Sequence, residues 1–293
     1  MPKSFVKNAI VLGLSSLGLL ACAGPDSGHQ TGTGLITLDV TDAPIDSAKK
    51  VMVQFSSVEL HGAENKTITL DPPVQLNLLD LAGSNSSALL DSEALAVGNY
   101  QWIKLGVDTA ADLDTYIELD DGTIHELDIP SGSTSGLKLV RGFTVAEGNT
   151  VDFTVDFDLR KSIVSNNQGY KLKPALRLVD NVEIGHVKGV VGSALLQDQS
   201  CTSGNSVYVF EGADATLSDV SSTSNVLTTT SINLNNVTGN YEYEVGFLNA
   251  GDYIFAVTCQ SGDDDPEVAD SGLTFAAHSN VTVEVKKTTT VDF

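Results

Sequence analysis

From Leu35 onward, apolar residues alternate with polar ones in short runs broken by turn residues, a period of two that predicts strands and not helices. Leu35-Ile36-Thr37-Leu38-Asp39-Val40 and Val51-Met52-Val53-Gln54-Phe55 read as strands, with Asp42-Ala43-Pro44 breaking the chain between them. Tyr116-Ile117-Glu118-Leu119, the turn Asp120-Asp121-Gly122 and Thr123-Ile124-His125-Glu126-Leu127 predict a hairpin, because glycine accepts the positive φ that such turns need. The most regular strand is Val151-Asp152-Phe153-Thr154-Val155-Asp156-Phe157-Asp158-Leu159, whose apolar members share one face and leave Asp152, Thr154, Asp156 and Asp158 on the other. Residues 76–81 and 87–95 read as short helical connections. The Ser/Thr-rich stretch 218–230 reads as a mobile loop.

A boundary is expected at residues 181–185. Beyond it, Val207-Tyr208-Val209-Phe210, Tyr241-Glu242-Tyr243-Glu244-Val245, Tyr253-Ile254-Phe255-Ala256-Val257 and Asn280-Val281-Thr282-Val283-Glu284-Val285 form a second series of strands. The expected fold class is therefore all-β, with two β-sandwich domains in tandem at residues 35–184 and 185–293. Leu95-Ala96-Val97-Gly98-Asn99-Tyr100 and Leu248-Asn249-Ala250-Gly251-Asp252-Tyr253 share the spacing Leu-x-x-Gly-x-Tyr. The pattern resembles the turn before a core strand in prealbumin-like and carboxypeptidase-regulatory-like β-sandwiches, and an ordinary β-turn accounts for it equally well.

The first residues have a different composition. Lys3 and Lys7 precede an apolar run from Ala9 to Leu20, the pattern of a signal peptide and too short to span a bilayer. The run ends in Leu19-Leu20-Ala21-Cys22, which resembles a bacterial lipobox; the resemblance implies cleavage after residue 21, lipid on Cys22, and a membrane anchor. Ala23 after the cysteine favours the outer membrane of the cell envelope by the same resemblance. Residues 22–34, rich in Gly, Ser and Thr, read as a flexible tether. With Cys22 acylated, Cys201 and Cys259 remain as an even pair in an oxidising compartment, which predicts a disulfide between them over two buried thiols. The net charge of −22 sets up a field that repels phosphate backbones and argues against nucleic acid as a partner.

Residues 35–184 also resemble a bacterial lipoprotein family known as domain of unknown function 4382. The matching residues are Asp39-Val40-Thr41-Asp42-Ala43-Pro44, Leu78-Leu79-Asp80-Leu81, Pro130-Ser131-Gly132-Ser133-Thr134-Ser135-Gly136-Leu137-Lys138, Asp156-Phe157-Asp158-Leu159-Arg160-Lys161-Ser162-Ile163-Val164 and Tyr170-Lys171-Leu172-Lys173-Pro174. The resemblance implies an exported, often lipidated β-sandwich and no particular activity.

The search for chemistry finds no catalytic residues, metal ligands or cofactor motif. Gly132-Ser133-Thr134-Ser135-Gly136 has threonine where a nucleophile elbow needs serine, and the five histidines lack zinc-like spacing. Asp152, Asp156 and Asp158, with the loop Asp263-Asp264-Asp265-Pro266-Glu267, are either solvated carboxylates or oxygen ligands for calcium. Lys138 and Arg160 lie in a basic stretch that either pairs with these carboxylates or meets a ligand. Two functions follow: a non-catalytic binding module for an envelope protein or polysaccharide, and a carboxylate-based, calcium-supported hydrolase of an envelope or extracellular polymer.

Overall fold

The computed structural model describes residues 32–293 except 47, 110–112, 131–135, 167–168, 198–200, 202–203, 222–223 and 270–271. The leader, Cys22 and most of the tether lie outside the described residues, as does most of the Gly132 to Gly136 turn. No helix among the described residues is long and apolar enough to cross a membrane.

The N-terminal portion contains β1 (Thr33–Ala43), β2 (Ala48–Gly62), β3 (Asn65–Asn77), β4 (Ser87–Ala96), β5 (Gly98–Asp108), β6 (Tyr116–Leu119), β7 (Ile124–Asp128), β8 (Leu137–Leu139), β9 (Phe143–Val145), β10 (Thr150–Asp158), β11 (Ile163–Asn166), β12 (Gly169–Leu172) and β13 (Leu176–Asp180). One helical turn, α1 (Leu159–Ser162), joins β10 to β11. The C-terminal portion contains β14 (Ile184–Val191), β15 (Ser206–Glu211), β16 (Val226–Ser231), β17 (Asn233–Leu234), β18 (Tyr241–Asn249), β19 (Gly251–Thr258), β20 (Ala277–Val283) and β21 (Thr288–Thr290). The chain is all-β, as expected. Two predicted helical connections need correction: residues 87–96 are strand β4, and only 78–81 form a single 3-10 turn. The supposed loop 218–230 yields β16 from Val226, because Val226, Thr228 and Thr230 face a packed interior.

Each portion is a pair of sheets. In the first, β13-β10-β1-β4 faces a nine-stranded sheet along β11-β12-β7-β6-β2-β5-β8, with β3 and β9 on its margins. Ile36, Leu38 and Val40 from β1 and Phe153, Val155 and Phe157 from β10 pack on Val53, Phe55, Val58 and Leu105 of the facing sheet. In the second, β17-β18-β14-β21 faces β16-β15-β19-β20, around Val187, Val207, Val209, Tyr243, Phe255 and Val257. Both Leu-x-x-Gly-x-Tyr segments are tight turns that carry the chain from one sheet to the facing sheet, from β4 to β5 and from β18 to β19. In each, the buried tyrosine donates its hydroxyl to the carbonyl four residues upstream, Tyr100 to Ala96 at 3.1 Å and Tyr253 to Asn249 at 2.7 Å. The sequence echo is thus a repeated local device that fixes the turn between two facing sheets.

No sheet crosses from one portion to the other, yet residues 31–293 form one compact unit. The two pairs meet where the ends of β1 and β10 press on β16 and β18. There the alternation of β1 gives way to continuous burial at Val40, Thr41, Asp42 and Ala43, and that of β10 to continuous burial from Phe153 to Asp158. Gly246 of β18 lies so close to the loop after β3 that a Cβ on it would stand 2.2 Å from the carbonyl oxygen of Gly83. Gly246→Ala is expected to cost about 1–3 kcal/mol through this overlap. It should appear as a lower urea midpoint with an unchanged m value.

Candidate functional site

The parallel pairing of β1 with β10 sets Thr41 beside Asp156, Asp42 beside Phe157 and Ala43 beside Asp158. This register brings the segments Asp-Val-Thr-Asp-Ala-Pro and Asp-Phe-Asp-Leu-Arg-Lys-Ser to one end of the sheet, more than a hundred residues apart in the chain. Three carboxylates converge there, on Asp42, Asp156 and Asp158, each no more than 5% exposed. The expectation of a solvated acidic face is therefore wrong for Asp156 and Asp158. Their side of β10 is covered by β16 and β18, a long-range packing that strand periodicity cannot register. Asp152, nearer the open end of the strand, is half-buried and accepts a hydrogen bond from the Asn181 side chain at 2.8 Å.

Two of the three carboxylates are matched by cations. Asp156 accepts both Nε and Nη2 of Arg177 on the neighbouring β13. Burial pushes the Asp156 carboxyl above its ordinary value while Arg177 pulls it down and Asp158 adds to the rise. Asp158 caps α1, accepting the Lys161 backbone N–H at 3.1 Å, and its other oxygen lies 3.0 Å from Lys161 Nζ. Asp42 is different. Neither of its oxygens has a hydrogen-bond partner of normal geometry. Burial raises its carboxyl well above 3.8, Asp156 and Asp158 raise it further, and the backbone N–H groups of Leu159 and Ala43 only partly oppose them. A cavity of about 10 Å³ beside Asp42 is lined by Thr41, Asp156, Thr228, Thr230, Glu244 and Phe247.

The residues of α1 reach across this boundary. Arg160, 5% exposed, donates to Thr229 Oγ1 at 3.1 Å, the Ser261 carbonyl at 2.8 Å, Asp46 Oδ2 at 2.9 Å and Ser206 Oγ at 3.2 Å. Burial works against its charge, but Tyr208 and Asp46 outweigh that and raise the guanidinium above its usual value. Lys161 Nζ donates to the carbonyls of Val226 and Leu227. Ser261 also bonds Asp46 Oδ2 at 2.7 Å, and Gly204, at φ +77, packs so close to this pair that a Cβ on it would stand 2.5 Å from Ser261 Oγ and 2.6 Å from Asp46 Oδ2. A disulfide between Cys201 and Cys259 closes off the same corner. Asp264, read as part of a solvated loop, is half-buried instead. It accepts the Tyr208 hydroxyl at 2.6 Å and the Val220 N–H at 3.1 Å.

Of the residues singled out from sequence, the structure brings Asp156, Asp158 and Arg160 together at the junction and leaves Lys138 elsewhere. Lys138 belongs to β8 in the nine-stranded sheet, with its ammonium 4.3 Å from the Trp102 ring, which in turn stacks on His61. Asp42, Asp46, Arg177, Ser206, Thr229 and Ser261 were not expected as site residues. Asp42 and Arg177 lie in or beside quoted motifs, but their roles depend on a strand register that no local pattern reveals. Among the described residues, no three His, Cys, Asp or Glu side chains are placed to hold a metal ion. The cluster can store charge and bind the sheet pairs together. Two of its three carboxylates are engaged by cations of the same chain.

Among curated proteins none matches. Solved structures give distant likenesses. A leucine-rich repeat protein from Bacteroides thetaiotaomicron VPI-5482 aligns at 15% identity and TM-score 0.22, over 90% of this chain and 26% of that one. The TIE protein of Bacillus anthracis aligns at 10% and 0.20, over 89% and 34%. The minor pilin of Streptococcus agalactiae aligns at 12% and 0.20, over 88% and 94%. The chain thus spans about a quarter and a third of the first two, and similarities this low identify no shared function. Residues 33–174, which run from β1 through β12 and hold both segments that meet at the buried carboxylates, match the family described as Domain of unknown function (DUF4382).

Proposed function

We propose that this chain is a lipid-anchored protein of the bacterial envelope, held in the outer membrane through Cys22, that presents its two sheet pairs as one non-catalytic module for binding an envelope protein or a polysaccharide. The observation that carries the non-catalytic reading is the engagement of Asp156 by Arg177 and of Asp158 by Lys161 inside a closed junction. Hydrolysis by paired carboxylates needs an acid and a base that converge on a cleft open to substrate. Here those groups neutralise partners of the same chain. An open groove of about 610 Å³ outside the junction offers Lys188, Asn233, Glu242, Glu244 and Asp292, a hydrogen-bonding surface suited to a hydrated ligand.

The anchor is tested by mass spectrometry of the native protein and by Cys22→Ser. The wild-type protein should carry an acylated N-terminal cysteine and sediment with membranes; the variant should retain its leader or appear in the soluble envelope fraction. The non-catalytic reading is tested with the purified mature chain on ester, glycoside and peptide substrates. Turnover that disappears with Asp156→Asn would refute it.

A further inference from the structure

Three carboxylates and two cations meet at the junction, and the odd charge falls on Asp42, which has no cation and only the backbone N–H groups of Leu159 and Ala43 to oppose its burial. Asp42, beside Phe157 in the ladder, is buried within electrostatic reach of Asp156 and Asp158 of β10, with Arg177 of β13 and Lys161 of α1 already bound to those two. Arg160, also on α1, is occupied by Asp46 and three neutral acceptors. From the C-terminal sheet pair, β16 presents only Thr228, Thr229 and Thr230, while β18 presents Glu244 beside Val245, Gly246 and Phe247. The loop after β3 contributes Gly83. Among the described residues no cation is therefore left over for Asp42. A second carboxylate lines the same small cavity from the opposite wall.

We propose that the junction is a proton-operated latch: with Asp42 neutral the two sheet pairs close on each other, and when Asp42 loses its proton the uncompensated charge drives β16 and β18 away from the ends of β1 and β10. The geometry favours this because the cavity, about 10 Å³, has room for little more than one water molecule, so solvent cannot screen an ionised Asp42 unless the walls separate. The opposing wall belongs to a different sheet pair, and among the described residues no strand ladder crosses the boundary, so closure rests on side-chain bonds such as those of Arg160 and Lys161. The direction of the effect follows from linkage. A carboxyl held above its unfolded value binds an extra proton in the closed state, so closure is most stable in acid. Stability then falls as pH rises from about 3.8 toward the folded value, the reverse of an ordinary ion-paired aspartate.

The test uses the mature chain in chelator-treated buffer, so that the proton is the only small cation available to Asp42. Carbon-13 NMR of the protein labelled at aspartate carboxyls, with Asp42→Asn to assign the signal, should find Asp42 titrating far above the other carboxylates. Hydrogen exchange of peptides covering β16 and β18, corrected for intrinsic rates, should accelerate about tenfold or more between roughly pH 5 and pH 9 in the wild type, while Asp42→Asn stays closed throughout. Peptides from β5 and β2 in the first core should not respond in either protein. Titration of Asp42 in the ordinary carboxylate range would overturn the proposal, and so would equal acceleration in the variant. Lower protection at low pH in the chelator-treated buffer than in the same buffer left untreated would also overturn it, because a metal would then be the neutralising charge. If Asp42→Asn fails to fold, the wild-type titration and exchange profiles decide the matter by themselves, with the Asp42 signal assigned through its through-bond connection to Ala43.

Discussion

Arg160→Ala is expected to lower the free energy of unfolding by about 3–5 kcal/mol, the range for removing one partner from a buried, hydrogen-bonded charge pair. The guanidinium serves four acceptors drawn from both sheet pairs: Asp46 on one side, and Ser206, Thr229 and the Ser261 carbonyl on the other. Its loss leaves the Asp46 carboxylate without its partner and the Ser261 carbonyl without this donor, while the cavity beside Tyr208 remains. Arg160→Lys should recover only part of the loss, because an ammonium cannot reproduce the planar fork that reaches acceptors on several sides. Lys171→Ala supplies the control. Its nitrogen lies 3.9 Å from an Asp128 that is 67% exposed, and its removal should change stability by no more than about 0.5 kcal/mol. Equilibrium urea unfolding of the three variants measures all of these effects, and a loss for Arg160→Ala as small as that of Lys171→Ala would refute the assignment of Arg160 as the clamp.

The second large effect belongs to the disulfide. Cys201 and Cys259 are 58 residues apart, and closing a loop of that length stabilises the folded state by about 4 kcal/mol on the chain-entropy account. Replacing both cysteines with serine should cost about that much, read as a fall in thermal midpoint under oxidising conditions that reductant does not deepen. The bond also stands next to the clamp, five residues before Ser206 and two before Ser261. The cysteine double variant combined with Arg160→Ala should therefore fall short of the summed losses, with a coupling above about 0.5 kcal/mol. Strict additivity would mean that the disulfide acts only on the unfolded chain.

The sequence shows the strands of this molecule more clearly than their partners. Val151 to Asp158 is legible as a strand because its apolar residues alternate, and the face carrying Phe153, Val155 and Phe157 is the core face as read. What covers the other face depends on residues 228–230, in a stretch whose Ser/Thr-rich composition suggested a loop, and on 244–247 of β18. Strand β16 was missed because Thr228, Thr229 and Thr230 are polar by composition yet almost completely buried. Strand β4 was missed because Ala94, Leu95 and Ala96 follow two acidic residues in a helix-like spacing. The cysteine pairing was legible from the even count that remains once Cys22 is read as acylated, and the two Leu-x-x-Gly-x-Tyr turns from their shared spacing. The match over residues 33–174 was legible through the ordered series of short segments. Asp42 was legible only as the end of a strand, since its isolation from any cation among the described residues is a property of the assembled junction.

The parallel ladder between β1 and β10 has a consequence for how the chain acquires this shape. Its register joins Leu35 to Thr150 and Ala43 to Asp158, so the strand nearest the amino end has no parallel neighbour until more than a hundred further residues have been delivered. A hairpin partner can form early, but this one cannot, and the loop that must close before it rewards the chain is long. As the chain emerges, amino end first, the edge of β1 that β10 will occupy stays unpaired for most of that time, which makes the interval the one in which a folding helper or an aggregating neighbour has its opportunity.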